Sequence, residues 1–178
     1  ADQRIVQEMD KDGERLRLVS DRFGKIGSTP QLEERNIVEQ VAQMVEYIKR
    51  RSPEKVQYRL DAQGETDIRA MINAPLFDWV IENLLKNALD AMEGRGQIQI
   101  SIHNEPDRVI TDISDSGKGI LPQHLNKVFK PGFSTKKRGW GLGLSLAKRI
   151  MEQYHQGELF VKQSEPGKGT TFRIVLKR

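Results

Sequence analysis

Apolar residues recur along this chain in two rhythms, and the changes of rhythm divide it. Over the first 28 residues, Ile5, Met9, Leu16, Val19, Phe23 and Ile26 fall on alternating four- and three-residue steps, with Asp12 in the one slot that breaks the seam. Such a heptad-like stripe predicts a helix suited to packing against a partner helix. Gly27-Ser28-Thr29-Pro30 ends it. A second helix is expected over roughly residues 34–50, where Ile37, Val38, Val41, Val45 and Ile48 share a face. Acidic residues near its start and Lys49-Arg50-Arg51 at its end suit the helix dipole, and Pro53 closes it.

The rhythm then shortens to two. Val56, Tyr58 and Leu60 alternate, as do Ile68, Ala70 and Ile72, with Gly64 between them, which predicts two strands. Residues 75–93 read as a helix with Pro75 in its first turn and Gly94 just past its end. Strands at about 97–103 and 108–115 follow, joined by a turn at 104–107. Next come a Gly-rich loop, a short helix near 122–128, and an irregular stretch rich in Gly, Lys and Phe. A helix at about 141–155 leads to a closing hairpin of strands 157–163 and 169–177. Strands and helices are mixed without regular alternation, so the expected fold class is α+β. The expected form is a two-layer α/β sandwich, a mixed sheet with helices on one face, over residues 53–178, preceded by a helical segment over residues 1–52.

Composition narrows the picture. The 178 residues suffice for one good-sized core with a helical appendage, not for two full domains. With 37% hydrophobic and 30% charged residues, the chain reads as a soluble globular domain. No apolar run approaches the ~20 residues a membrane helix needs, and no signal-peptide pattern opens the chain. A cytoplasmic setting is therefore the default, and the start at Ala1 rather than Met suggests a piece of something larger. The absence of cysteine excludes disulfide scaffolds, thiolate metal sites and cysteine nucleophiles, and three scattered histidines argue against a His-rich metal site. The net charge of +4 comes with one short basic run, Lys136-Lys137-Arg138, so no nucleic-acid partner is expected.

Three segments carry candidate chemistry. On the helix at 75–93, Asn83 lies about 40° from Asn87 and Asp90 about 60° away on the other side, a narrow polar stripe beside a broad apolar face. A solvated face would look the same, but asparagine is a mediocre helix former, and two at i and i+4 suggest a side-chain task. An amide oxygen is a hard ligand suited to Mg²⁺ that adds no charge to repel a polyphosphate. Second, Asp115-Ser116-Gly117-Lys118-Gly119 ends the strand 108–115, where Asp115 shares parity with Val109 and Ile113 and points toward the core layer. A carboxylate there needs hydrogen-bond donors, such as a purine's exocyclic amine, and the glycines let backbone pass close to a flat ring. An ordinary Asp-Gly turn is the plainer alternative. Third, Gly139-Trp140-Gly141-Leu142-Gly143-Leu144-Ser145 leads into a helix, leaving backbone N–H groups for phosphate with Lys136, Lys137 and Arg138 just upstream. Its spacing matches neither the P-loop nor the Rossmann fingerprint.

Taken jointly and in order, these segments resemble the ATP-binding catalytic domain of sensor histidine kinases, within the GHKL superfamily (Bergerat fold) that includes DNA gyrase, Hsp90 and MutL. The N box corresponds to Asn83–Ala91, the G1 box to Asp115–Gly119, the F box to Phe129–Phe133 and the G2 box to Gly139–Ser145. The resemblance covers about residues 55–178, and the segment before it looks like the end of the family's dimerisation domain plus its connector.

The resemblance implies the following roles. Asn87 would coordinate the Mg²⁺ held with the ATP phosphates, with Asn83 one turn away supporting it; Asp115 would accept from the adenine amino group, joined by Thr170 through water. Phe129 and Phe133 would anchor a short flap over the nucleotide, and Lys136, Lys137 and Arg138 would be the phosphate-side cations. The catalytic set is thus Asn83, Asn87, Lys136, Lys137 and Arg138. The nucleotide-binding set keeps Asn83, Asn87, Lys136 and Arg138 of these and adds Lys86, Asp90, Asp115, Gly117, Gly119, Ile120, Phe129, Phe133, Ser134, Thr135, Gly139, Gly141, Leu142, Gly143, Leu144 and Thr170. ATP or ADP with Mg²⁺ would be the cofactors. A His-bearing dimerisation helix of the same protein and a response regulator receiver domain would be the partners, with the full-length protein a homodimer.

One position separates subclasses. Where the superfamily's true ATPases carry a water-activating Glu, this chain has Asn83, whose amide takes no proton at neutral pH. Glu82 lies about 140° from Asn87 on the helix wheel and should point elsewhere. The site is thus expected to hold ATP without rapidly hydrolysing it. His103, His124 and His155 are not followed by Glu or Asp and lie outside the N-terminal helices, so ordinary surface roles are expected for them and no autophosphorylation of this chain. Competing readings are an ATP-hydrolysing conformational machine, a non-catalytic nucleotide-binding scaffold, and a serine kinase of the same fold; Asn83 argues against the first and last, the intact boxes against the second.

Overall fold

The structure is a computed structural model that describes residues 30–134 and 143–178. The helix expected over residues 1–28 lies outside the described residues.

The described chain opens with strand β1 (Glu33–Asn36) and helix α1 (Ile37–Lys49). The second helix was expected to begin near residue 34, but residues 33–36 hold no buried position and pair antiparallel with strand β3 (Arg69–Ile72), Glu33 opposite Ile72. Asn36 sets the boundary. Its side-chain oxygen accepts from the Val38 N–H at 3.1 Å, capping α1, while its amide donates to the Thr66 carbonyl at 2.9 Å.

Strand β2 (Val56–Asp61), β3 and helix α2 (Ala74–Met92) follow, with Asn73 capping α2 by accepting from the Leu76 N–H at 3.2 Å. Glu93 ends α2 in the left-handed conformation at φ 55°. Strands β4 (Gly96–Asn104) and β5 (Arg108–Asp115) come next. The helix expected near 122–128 shrinks to a single tight turn, Pro122–His124, none of whose residues is buried. Helix α3 (Gly143–Arg149) widens into a π turn over Ile150–Tyr154, and strands β6 (Glu158–Glu165) and β7 (Gly169–Lys177) close the fold.

The main sheet has strand order β2-β4-β5-β7-β6; β2 and β4 run parallel and the other pairs antiparallel. It is the expected mixed sheet. Strand parity decides its two faces. Val109 and Ile113 of β5 and Phe172, Ile174 and Leu176 of β7 belong to the core, together with Phe77, Val80, Ile81, Leu84 and Leu85 of α2. Ile37, Val41, Val45 and Ile48 of α1 belong to the same cluster, so the core runs across residue 52. Each such side chain contributes about 1.5–3 kcal/mol by leaving water. On the opposite face, Arg173 grips Asp112 with two hydrogen bonds of 2.8 and 2.9 Å, and Lys162 stands 3.6 Å away.

His155 departs from its expected surface role. It is buried, and its Nε2 accepts from the Asn73 N–H at 3.1 Å, which leaves Nδ1 as the donor to the Ile150 carbonyl at 3.0 Å. Burial pushes its pKa down. The same carbonyl accepts the His155 N–H, and the Gly157 N–H reaches back to Met151, so the π turn and the buried ring form one unit.

Candidate functional site

Helix α2 is the spine of the site. Its apolar face is buried, while Asn83 and Asn87 are half-buried and Asp90 exposed along one side. The row Asp78, Glu82, Lys86 occupies another side. Gln40 of α1 donates to Asp78 at 2.6 Å, and Glu82, buried, pairs with Lys86 at 3.1 Å. Burial pushes the Asp78 carboxyl up, opposed by the Gln40 bond. The pair with Lys86 places Glu82 where the helix wheel predicts, and it ties Lys86, a candidate nucleotide contact, to that same flank.

Two glycine contacts seat loops on this spine. A Cβ on Gly143, the first residue of α3, would lie 2.6 Å from Asn83 Nδ2 and 2.8 Å from Oδ1, so the backbone of the third motif lies directly against the first asparagine. A Cβ on Gly117 would lie 2.6 Å from the Ala91 carbonyl, and the Lys118 N–H donates to that carbonyl at 2.9 Å. Asn83 and Ala91 are about 12 Å apart along the helix. One helix therefore fixes the spacing between the Asp115–Gly119 loop and the start of α3.

Asp115 ends β5 half-buried. Its Oδ1 accepts from the Gly117 N–H at 2.8 Å, and its carboxylate also takes the Thr170 N–H. Burial pushes its pKa up against these two bonds, and acceptor capacity remains on the carboxylate for a further donor. Thr170, buried on β7, thus does meet Asp115, and its hydroxyl bonds Ser164 Oγ at 2.8 Å. Ser164 also accepts the Ile120 N–H at 2.8 Å, which brings Ile120 to the same corner.

Two contributors were not singled out from the sequence. Gly169 has φ +125°, and a Cβ there would lie 1.9 Å from the Asp115 carbonyl; Ser164 holds the loop through Ile120. The only signal was Gly167-Lys168-Gly169 at the turn of the closing hairpin. Gly119, with φ +74°, also sits tightly: a Cβ there would lie 2.3 Å from the Glu165 carbonyl.

Phe129 packs edge-on against Phe172 of the core at 6.1 Å, and Phe133 against His124 at 5.2 Å, so both aromatic residues are anchored. Leu144 packs against the core and Ser134 is exposed. Thr135, Lys136, Lys137, Arg138, Gly139, Gly141 and Leu142 lie outside the described residues. The donors that α2 offers at the site, two amide oxygens and a carboxylate, are hard oxygen ligands and fit Mg²⁺ shared with phosphates. Among the described residues, no helix is long and apolar enough to cross a membrane.

Comparison with known proteins agrees with this geometry. Residues 73–178 match the family described as histidine kinase-, DNA gyrase B-, and HSP90-like ATPase. The sensor histidine kinase ZraS of Salmonella typhimurium is 41% identical over 123 residues, 68% of this chain and 26% of that protein. Sporulation kinase E of Bacillus subtilis is 42% identical over 98 residues, 54% of this chain and 13% of that protein. The chain thus spans about a quarter or less of these relatives. Among solved structures, the catalytic domain of histidine kinase ThkA superposes with a TM-score of 0.71 at 26% identity, covering 83% of this chain and 95% of that one. With the motifs, the mixed sheet and the α2 spine in agreement, the chain belongs to the histidine kinase-, DNA gyrase B-, and HSP90-like ATPase family, with the α+β Bergerat fold of histidine kinase catalytic domains.

Proposed function

We propose that this chain is the ATP-binding catalytic part of a two-component sensor histidine kinase, which transfers the γ-phosphoryl of ATP to a histidine on a dimerisation helix and thence to a response regulator receiver domain. One observation carries the reading: α2 presents Asn83 and Asn87 between a half-buried carboxylate, Asp115, and the glycine backbone at Gly143. Asp115 orients the purine by accepting from its amino group, and Thr170 supports that carboxylate. Asn87, with Asn83 beside it, would hold Mg²⁺, which supplies charge neutralisation for the phosphates when bound. Asn83 offers no base for water, so the γ-phosphoryl is kept for a nucleophile that another domain brings. Catalysis is then chiefly positioning, with Lys136, Lys137 and Arg138 contributing charge. The similarity to the sensor histidine kinase ZraS supports the class of reaction. The parent protein is proposed to be a homodimer with this part in the cytoplasm, and the residues before β1 to carry the end of the dimerisation helix and the connector, since β1 and α1 pack into the domain core.

The test is incubation of the chain with γ-labelled ATP, alone and with a separately produced dimerisation domain carrying a phosphoacceptor histidine. The expected result is acid-labile label on the added domain, none on this chain, and no steady release of phosphate. Sustained hydrolysis without transfer would favour a conformational ATPase instead.

A further inference from the structure

Lys148 lies on α3 beyond the glycine-rich motif, and none of the site roles above uses it. Its ammonium contacts three separate parts of the domain. Nζ donates to the Leu159 carbonyl of β6 at 2.7 Å, pairs with Glu152 at 3.3 Å, and lies 4.5 Å from the centroid of the Phe129 ring. An ammonium has three protons, so a carbonyl, a carboxylate and a ring face occupy its whole capacity. Phe129 in turn stands edge-on to Phe172, two positions along β7 from Thr170, whose N–H holds Asp115. A chain of contacts therefore leads from Lys148 through one aromatic ring to the strand that supports the purine-side carboxylate.

We propose that Lys148 is a positioning residue: it holds the Phe129 ring against Phe172 and so fixes the wall of the nucleotide site formed by the segment from Ile120 to Ser134. This role rests on the reading of the chain as an ATP-binding domain. The attraction of an ammonium to the electron-rich ring face supplies the force, and partial burial strengthens it. The Leu159 and Glu152 contacts offer a competing role, local bracing of α3 on β6, which would act whether or not Phe129 were present.

A double-mutant cycle on the full 178-residue chain separates the two. Lys148→Met keeps the length and apolar stem but removes the charge; it is expected to weaken Mg-ATP binding about three- to tenfold. In a Phe129→Leu background the same substitution is expected to add nothing. Lys148→Arg, which keeps a cation over the ring, is expected to restore most of the affinity, and Glu152→Gln to leave it unchanged. In proton NMR the ε-methylene of Lys148 is expected upfield from the ring current of Phe129 and at its ordinary position in Phe129→Leu, a reading that needs no nucleotide and no Lys148→Met protein. Equal losses in both backgrounds, failure of arginine to rescue, or an unshifted methylene would each overturn the role. Loss of binding by the unsubstituted chain would overturn the functional reading and this role together, whereas intact binding with any of those three results overturns this role alone.

Discussion

At its Ala91 end, helix α2 meets the Asp115–Gly119 loop through backbone against backbone; at its Asn83 end it meets α3 through a side chain. Gly117 lies against the Ala91 carbonyl, Gly119 against Glu165, and Gly169 against Asp115, all rigid partners. The atoms nearest a Cβ on Gly143, among the described residues, belong to the amide of Asn83, the movable end of a side chain. In the proposed reading the purine end is thus fixed by backbone contacts, whereas at Gly143 the phosphate side meets the end of a side chain. That division suits a rigid, flat ring at one end and a flexible, highly charged tail at the other.

The sharpest way to break this comparison is at Gly169. Gly169→Ala would drive a Cβ into the Asp115 carbonyl in a conformation that L residues rarely adopt, and is expected to destabilise the chain by about 3 kcal/mol or more. Urea denaturation measures it. An unchanged midpoint would mean that the Asp115 end is not rigidly built.

Asp115→Asn comes next. The amide still accepts from the Gly117 N–H but presents a donor in one orientation, so ATP affinity is expected to fall about ten- to a hundredfold while inorganic triphosphate is unaffected. Stability should move the opposite way. Because burial raises the Asp115 pKa above its unfolded value, the folded chain binds the proton more tightly, and the ionised carboxylate subtracts stability as pH rises through that window. Asp115→Asn is therefore expected to unfold at an equal or higher temperature than the unsubstituted chain at neutral pH, a trade of stability for function. By the same sign, ATP binding should weaken on acidification at a higher pH than an ordinary aspartate would give. Calorimetry across pH reads this directly.

Gly143→Ala has the smallest expected effect. Asn83 can turn aside, so the loss of stability should be about 1 kcal/mol or less, accompanied by a few-fold loss of ATP affinity as the amide leaves its place. If Gly143→Ala proved as damaging as Gly169→Ala, the two ends would be alike after all.

Much of this was legible in the chain itself, for identifiable reasons. The long periodic run of α2, with Pro75 at its start and Gly94 beyond its end, announces its helix, and strand parity alone turns Asp115 toward the core layer. Strand β1 was not legible, because Glu33–Asn36 carries no alternation and acquires its conformation by pairing with β3 more than thirty residues away. His155 was misjudged as a surface residue because its partners, Asn73 and Ile150, come together only through the packing of the π turn against the start of α2. Gly169 escaped notice for a related reason. A turn glycine looks ordinary until the strand it precedes is laid beside Asp115.

The central claim is a purine held by Asp115 with its phosphates tied through Mg²⁺ to Asn87. Titration calorimetry of ATP into the chain with and without magnesium, repeated on Asn87→Ala, tests it most directly. The account predicts binding that magnesium strengthens, and loss of that strengthening in Asn87→Ala with the purine contribution kept. Equal magnesium dependence in both proteins, or no heat of binding in the unsubstituted chain, would contradict it.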